Sequence, residues 1–88
     1  SGDSMEPEYH NGEIAWIQQK DSISNGEVGI FYLNGDAYIK KLHDEPDGLF
    51  LISLNKKYKP IAIQESDSFK IFGKVVGKCD ASDIPGFK

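Results

Sequence analysis

A serine near the front of this chain and a lysine in its middle could together break an acyl bond. Ser4 stands in the stretch Gly2-Asp3-Ser4-Met5, a small-residue turn that presents a hydroxyl. A serine hydroxyl is a weak nucleophile until a base takes its proton. His10 and His43 form no evident relay with it, which leaves lysine as the candidate base. A lysine accepts a proton only when it is neutral. Its ordinary pKa is about 10.4, and moving it near 7 corresponds to roughly 4–5 kcal/mol of differential stabilisation. Burial among apolar side chains supplies shifts of that size. Backbone N–H groups of the turn 2–5 would face the oxyanion that develops during acyl transfer. The tetrapeptide alone is a weak signal, because Gly-Asp-Ser turns are common and most such serines are surface hydroxyls.

The lysine is singled out by a hairpin. Asn34-Gly35 lies between two apolar runs and is the dipeptide of a type I′ turn, in which both residues need positive φ. That turn sets Leu33 opposite Asp36, Phe31 opposite Tyr38, Gly29 opposite Lys40 and Val28 opposite Lys41. Alternation then puts Gly29, Phe31, Tyr38 and Lys40 on one face and Val28, Ile30, Ile39 and Lys41 on the other. Lys40 thus faces a glycine between aromatic walls, where it could lose water. In the plainer alternative, Lys40 and Lys41 are both solvated charges that guard an edge strand.

The elements that would position these residues are mostly strands. Turn dipeptides recur at Asn11-Gly12, Asn25-Gly26, Asn34-Gly35 and Asp47-Gly48. Between them, runs rich in Ile, Val, Phe, Tyr and Leu predict strands at Glu13–Gln18, Glu27–Leu33, Ala37–His43, Leu49–Leu54 and Phe69–Lys78, with a shorter one at Ile61–Ile63. No stretch keeps a 3.6-residue period, so the expectation is a mostly β, compact, coiled all-β domain. At most a short helical turn follows Ser4, around Glu6–Tyr9. The 88 residues are expected to form one domain, 1–88, with a thin stability margin. "HDEPDG" at 43–48 reads as a polar hairpin loop and "KKYK" at 56–59 as a solvated basic loop. Trp16, Tyr32, Phe50, Phe69 and Phe72 read as core or dimer contacts.

Composition removes several function classes. Lys and Arg total 10 against 14 Asp and Glu, the net charge is -4, and there is no arginine. A sequence-reading nucleic-acid module needs a cationic footprint and usually arginine forks, so these residues alone are a poor DNA binder. No apolar run approaches the roughly 20 residues of a membrane span, so no membrane role is expected. Cys79 is the sole cysteine, read as packed or idle, and excludes an internal disulfide. His10 and His43 lack metal-ligand spacing, and neither a metal nor a cofactor is expected.

The order of segments adds a resemblance. "SGDSMEP", "NGEIAWIQ", "GEVGIFYLNGDAYIKKL", "LFLISLNKKYKPI" and "FKIFGKVVG" follow one another as in the peptidase domain of the LexA family, which includes lambda-type phage repressors and UmuD mutagenesis proteins. The resemblance runs from about Gly2 to Gly77. It implies a LexA/signal-peptidase-like fold with Ser4 as nucleophile and Lys40 as general base. The backbone amides of Asp3 and Ser4 would be the oxyanion donors, and Met5 would line the cleft. It further implies cleavage of a small-residue–glycine bond upstream in the same polypeptide, stimulated by the RecA filament, and a cytoplasmic homodimer. DNA would be bound only through an N-terminal domain, expected with the cleavage segment upstream of these residues. The strand Phe69–Lys78 is expected to help form the two-fold interface. The tail Cys79–Lys88 has no counterpart in the resemblance. A UmuD-like mutagenesis protein, a non-catalytic dimerisation module of the same fold and a type I signal peptidase are the alternatives.

Overall fold

Strands β2 (Val28–Leu33) and β3 (Asp36–Glu45) form the hairpin on which the rest is built. In the computed structural model, which describes residues 3–10 and 12–86, their register is the one required by the type I′ turn. Gly29 pairs with Lys40, Phe31 with Tyr38 and Leu33 with Asp36. Asn34 and Gly35 both have positive φ, 51° and 90°. Asn34 also ties its turn to the loop before the last strand, its Oδ1 accepting from Ser68 N at 2.9 Å.

Four more strands complete a single antiparallel sheet: β1 (Glu13–Gln19), β4 (Gly48–Ile52), β5 (Ile61–Ala62) and β6 (Phe69–Asp80). The order across the sheet is β1-β6-β2-β3-β4-β5, so the long last strand inserts between the first two. One face carries the core. Phe31, Leu33, Leu42 and Leu51 are buried there, with Ile23, Tyr38, Ile61, Ile63, Phe69 and Ile71 packed against them. Phe31 and Phe69 stack with ring centroids 5.7 Å apart.

Close backbone approach explains two glycines. A Cβ on Gly29 would stand 2.8 Å from the Gly73 carbonyl oxygen and 2.8 Å from Ile23 Cδ1. A Cβ on Gly73 would stand 2.7 Å from the Gln18 carbonyl oxygen. The room that Gly29 leaves opposite Lys40 is therefore filled by a core isoleucine.

β6 is bulged twice. Ile30 pairs with Gly73 but Phe31 with Ile71, which leaves Phe72 unpaired; Trp16 pairs with Gly77 but Ile17 with Val75, which leaves Val76 unpaired. A bulge adds a residue and breaks the alternation of faces. Both extra side chains are exposed. Trp16 and Tyr32 are exposed too, so of the five aromatics read as core or dimer contacts, Trp16, Tyr32 and Phe72 lie outside this chain's core. Tyr32 and Phe72 meet edge to face.

Other expectations need correction. The loop at 43–48 shrinks to Pro46 and Asp47, because His43, Asp44 and Glu45 continue β3 and pair with Phe50, Leu49 and Gly48. The polar residues there decorate a ladder instead of ending it. β4 stops at Ile52, two residues before the expected end, where the chain turns away from the sheet. After Ser4 the chain makes turns closed by Glu6 N donating to Asp3 O and Tyr9 N to Met5 O. These turns stay within the short helical turn allowed after Ser4, and the tail adds a 3-10 turn at Ala81–Asp83 that was not expected. Gly2, Asn11, Phe87 and Lys88, which belong to the predicted nucleophile turn, a turn dipeptide and the tail, lie outside the described residues.

Candidate active site

Lys40 sits at the middle of β3, on the face shared with Tyr38 and Leu42. Alternation points it into the molecule and Lys41 out of it: Lys40 is 6% exposed, while Lys41 is exposed. The turn that carries Ser4 folds over this face and leaves Ser4 5% and Met5 3% exposed. Lys40 Nζ lies 2.8 Å from Ser4 Oγ. It also lies 2.8 Å from Ser53 Oγ, which is itself buried.

The electrostatics follow from what surrounds the amine. Among the described residues no carboxylate pairs with Lys40; its two polar contacts are neutral hydroxyls. Burial alone pushes its ammonium below the ordinary lysine range. A neutral amine has two N–H donors and one lone pair. In that form, an amine donating to Ser53 Oγ would have its lone pair free for the Ser4 O–H, the arrangement a base needs toward its nucleophile. The four residues named from the sequence, Asp3, Ser4, Met5 and Lys40, thus lie within one small region. His10 and His43 do not join it: they meet Glu6 at 3.4 Å and Asp47 at 2.9 Å.

The turn is held by a segment read as solvent-facing. Tyr58 Oη donates to Asp3 Oδ1, and Lys57 Nζ pairs with Asp3 Oδ2 at 2.6 Å. The hydrogen bond it donates to the Asp3 carboxylate raises the Lys57 ammonium above its ordinary range. Asn55 N donates to Ser4 O at 2.9 Å, and Asn55 Nδ2 donates to Asp3 O at 3.0 Å. "KKYK" is therefore only partly a solvated run: Lys56 and Lys59 are exposed, but Tyr58 is half-buried against the turn because its hydroxyl has a carboxylate to bond. Ser53 and Asn55 also escaped the sequence reading. One signal was available: Leu49, Leu51 and Ser53 alternate along one face, and a hydroxyl at a core-facing position needs a partner.

Comparisons with known proteins identify the family. The family model described as Peptidase S24-like matches residues 1–76. The LexA repressor of Leptospira biflexa is 39% identical over 77 residues, 86% of this chain and 37% of that protein. Those of Desulforamulus reducens and Carboxydothermus hydrogenoformans are 35% and 37% identical over 77 and 79 residues, covering 35% and 38% of those proteins. The chain thus spans a little over a third of the length of these repressors. With a buried serine and lysine in contact, and a peptidase-family match across nearly all of its length, this chain belongs to the Peptidase S24-like family, with LexA repressors among its relatives.

Proposed function

We propose that this chain is the peptidase and dimerisation domain of a LexA-like or phage-type transcriptional repressor, and that it cuts its own polypeptide with a Ser4–Lys40 dyad. The observation that carries the reading is the 2.8 Å contact between a buried lysine amine and a buried serine hydroxyl. Neutral Lys40 takes the Ser4 proton as Ser4 Oγ attacks the carbonyl of a small-residue–glycine bond upstream. The oxyanion is received by the backbone N–H groups of Asp3 and Ser4. The protonated amine then gives its proton to the leaving nitrogen, and water hydrolyses the acyl-enzyme by the same route. Met5 lines the cleft. No side chain beyond this chain's own is needed for those proton transfers.

In the whole protein, cleavage would separate an N-terminal DNA-binding domain from this one. A RecA filament would raise the rate of that cleavage. The exposed Phe72 and Val76 on β6 and Trp16 on β1 support dimerisation through that side of the sheet. A soluble repressor of this kind would work in the cytoplasm, and no helix among the described residues is long and apolar enough to cross a membrane.

The test uses the full natural polypeptide. Raising the pH neutralises Lys40 without an activator, so incubation near pH 10 is expected to yield two fragments, cut upstream of Ser4, while the Ser4→Ala polypeptide stays whole. An unsubstituted polypeptide that stays whole at that pH, with or without RecA filament, sinks the reading.

A further inference from the structure

We infer that Asn55 is a positioning residue that aims the Ser4 backbone N–H at the developing oxyanion. The inference rests on the Ser4–Lys40 reading above and deepens it.

Asn55 grips two successive peptide groups. Its main-chain N–H donates to Ser4 O at 2.9 Å, and its side-chain Nδ2 donates to Asp3 O at 3.0 Å. The carbonyl and N–H of a trans peptide point in opposite directions. Holding the Asp3 carbonyl toward residue 55 therefore turns the Ser4 N–H the other way, and holding the Ser4 carbonyl does the same for the Met5 N–H. Among the described residues the Ser4 N–H donates to no acceptor in the chain, so it is available to a ligand.

The orientation of the amide itself is determined. Asn55 Oδ1 accepts from Lys57 N at 3.2 Å, which assigns the oxygen to that side and the Nδ2 donor to Asp3. Tyr58 N donates to Asn55 O at 3.1 Å and closes the turn around it. Glu6 N also donates to Asp3 O, at 3.2 Å, so the peptide plane is pinned from both the nucleophile turn and the facing loop. Ser53, two residues earlier, contacts Lys40 Nζ. One short segment after β4 therefore reaches both halves of the proposed chemistry: Ser53 touches the base and Asn55 orients the donor. A donor aimed before the reaction costs no reorganisation during it, which is why such groups carry large rate effects.

The experiment follows modification of Ser4 in the 88-residue chain by a fluorophosphonate, whose phosphoryl oxygen occupies the oxyanion position, as a function of pH. Asn55→Asp keeps the acceptor for Lys57 N and deletes the Nδ2 donor. We expect its limiting rate to fall roughly tenfold or more, toward the about 10²–10³-fold cost of a lost oxyanion donor because the Ser4 N–H is kept but no longer held in aim, with the pH midpoint set by Lys40 unchanged. Asn55→Ala retains the main-chain bond to Ser4 and carries the same expectation if the new carboxylate unfolds the chain. Unchanged limiting rates in both variants overturn the inference and leave the dyad standing. A fall accompanied by a midpoint moving up toward that of an exposed lysine also overturns it, since Asn55 would then support the packing of Lys40 rather than the amide. Absence of Ser4 modification in the unsubstituted chain at every pH overturns the dyad reading itself and the inference with it.

Discussion

A Lys40→Met chain is expected to react at Ser4 about 10²–10⁴-fold more slowly than the unsubstituted chain, the span that a positioned general base contributes. Methionine matches the length and apolar stem of lysine but has no proton-accepting nitrogen. Lys40→Arg should fare no better, because a guanidinium stays charged throughout the accessible pH range. The measurement is the rate of fluorophosphonate modification at Ser4 read by mass spectrometry, with thermal unfolding recorded in parallel. A methionine variant that reacts within threefold of the unsubstituted rate would remove Lys40 from the chemistry. The burial of Lys40 also acts on stability, and its direction follows from the lowered pKa. The folded-state pKa is lowered, so between that value and the unfolded value of about 10.4 the unfolded chain binds more protons than the folded one. Stability then rises with pH across that window, and the cost of burying the charge is complete below it. The methionine variant should lack this alkaline rise.

Phe31→Ala is expected to lower stability by about 3–5 kcal/mol. Phe31 is fully buried, pairs with Tyr38 and Ile71 on the neighbouring strands and stacks on Phe69. Removing the ring leaves a cavity at the centre of a core with few other large side chains; among the described residues only Leu51 is equally buried. Small domains hold only about 5–15 kcal/mol in total, and for a chain of this size each kcal/mol moves the midpoint by roughly 4–8 °C. The expected fall in Tm is therefore tens of degrees, measured by circular dichroism. Tyr32→Ala, one position along β2 and on the exposed face, should cost far less. Equal losses in the two variants would show that the buried face is not where the stability resides.

The hairpin was legible because its information is local. Asn34-Gly35 dictates positive φ at two positions, the turn dictates the register, and alternation then separates Lys40 from Lys41. The strands were legible for the same reason, with ends misplaced where polar residues such as Asp44 and Glu45 continue a ladder on its solvent side. The two bulges had a mark that went unused: Ile71-Phe72 and Val75-Val76 place apolar residues side by side where alternation forbids it. The insertion of β6 between β1 and β2 had none, since pairing between segments this far apart in sequence is decided by the whole core and not by any segment.

The candidate site divides along the same line. The chemistry proposed for Ser4 and Lys40 lies in their own side chains, so both could be named from the chain. Asn55, Lys57 and Tyr58 act through backbone carbonyls and a carboxylate more than 50 residues away in sequence. A loop of lysines with one tyrosine looks the same whether it faces water or grips a turn. Only the fold distinguishes the two.

The central claim is that the Lys40 amine is uncharged when it meets Ser4, and NMR titration of the chain with 13C-labelled lysine ε-carbons tests it directly. Lys40, assigned by its absence in the Lys40→Met variant, should titrate with a midpoint clearly below the roughly 10.4 of an exposed lysine, apart from the other resonances. A Lys40 midpoint at or above that value would mean a charged amine beside the serine across the working pH range, and the proposed chemistry could not proceed as described.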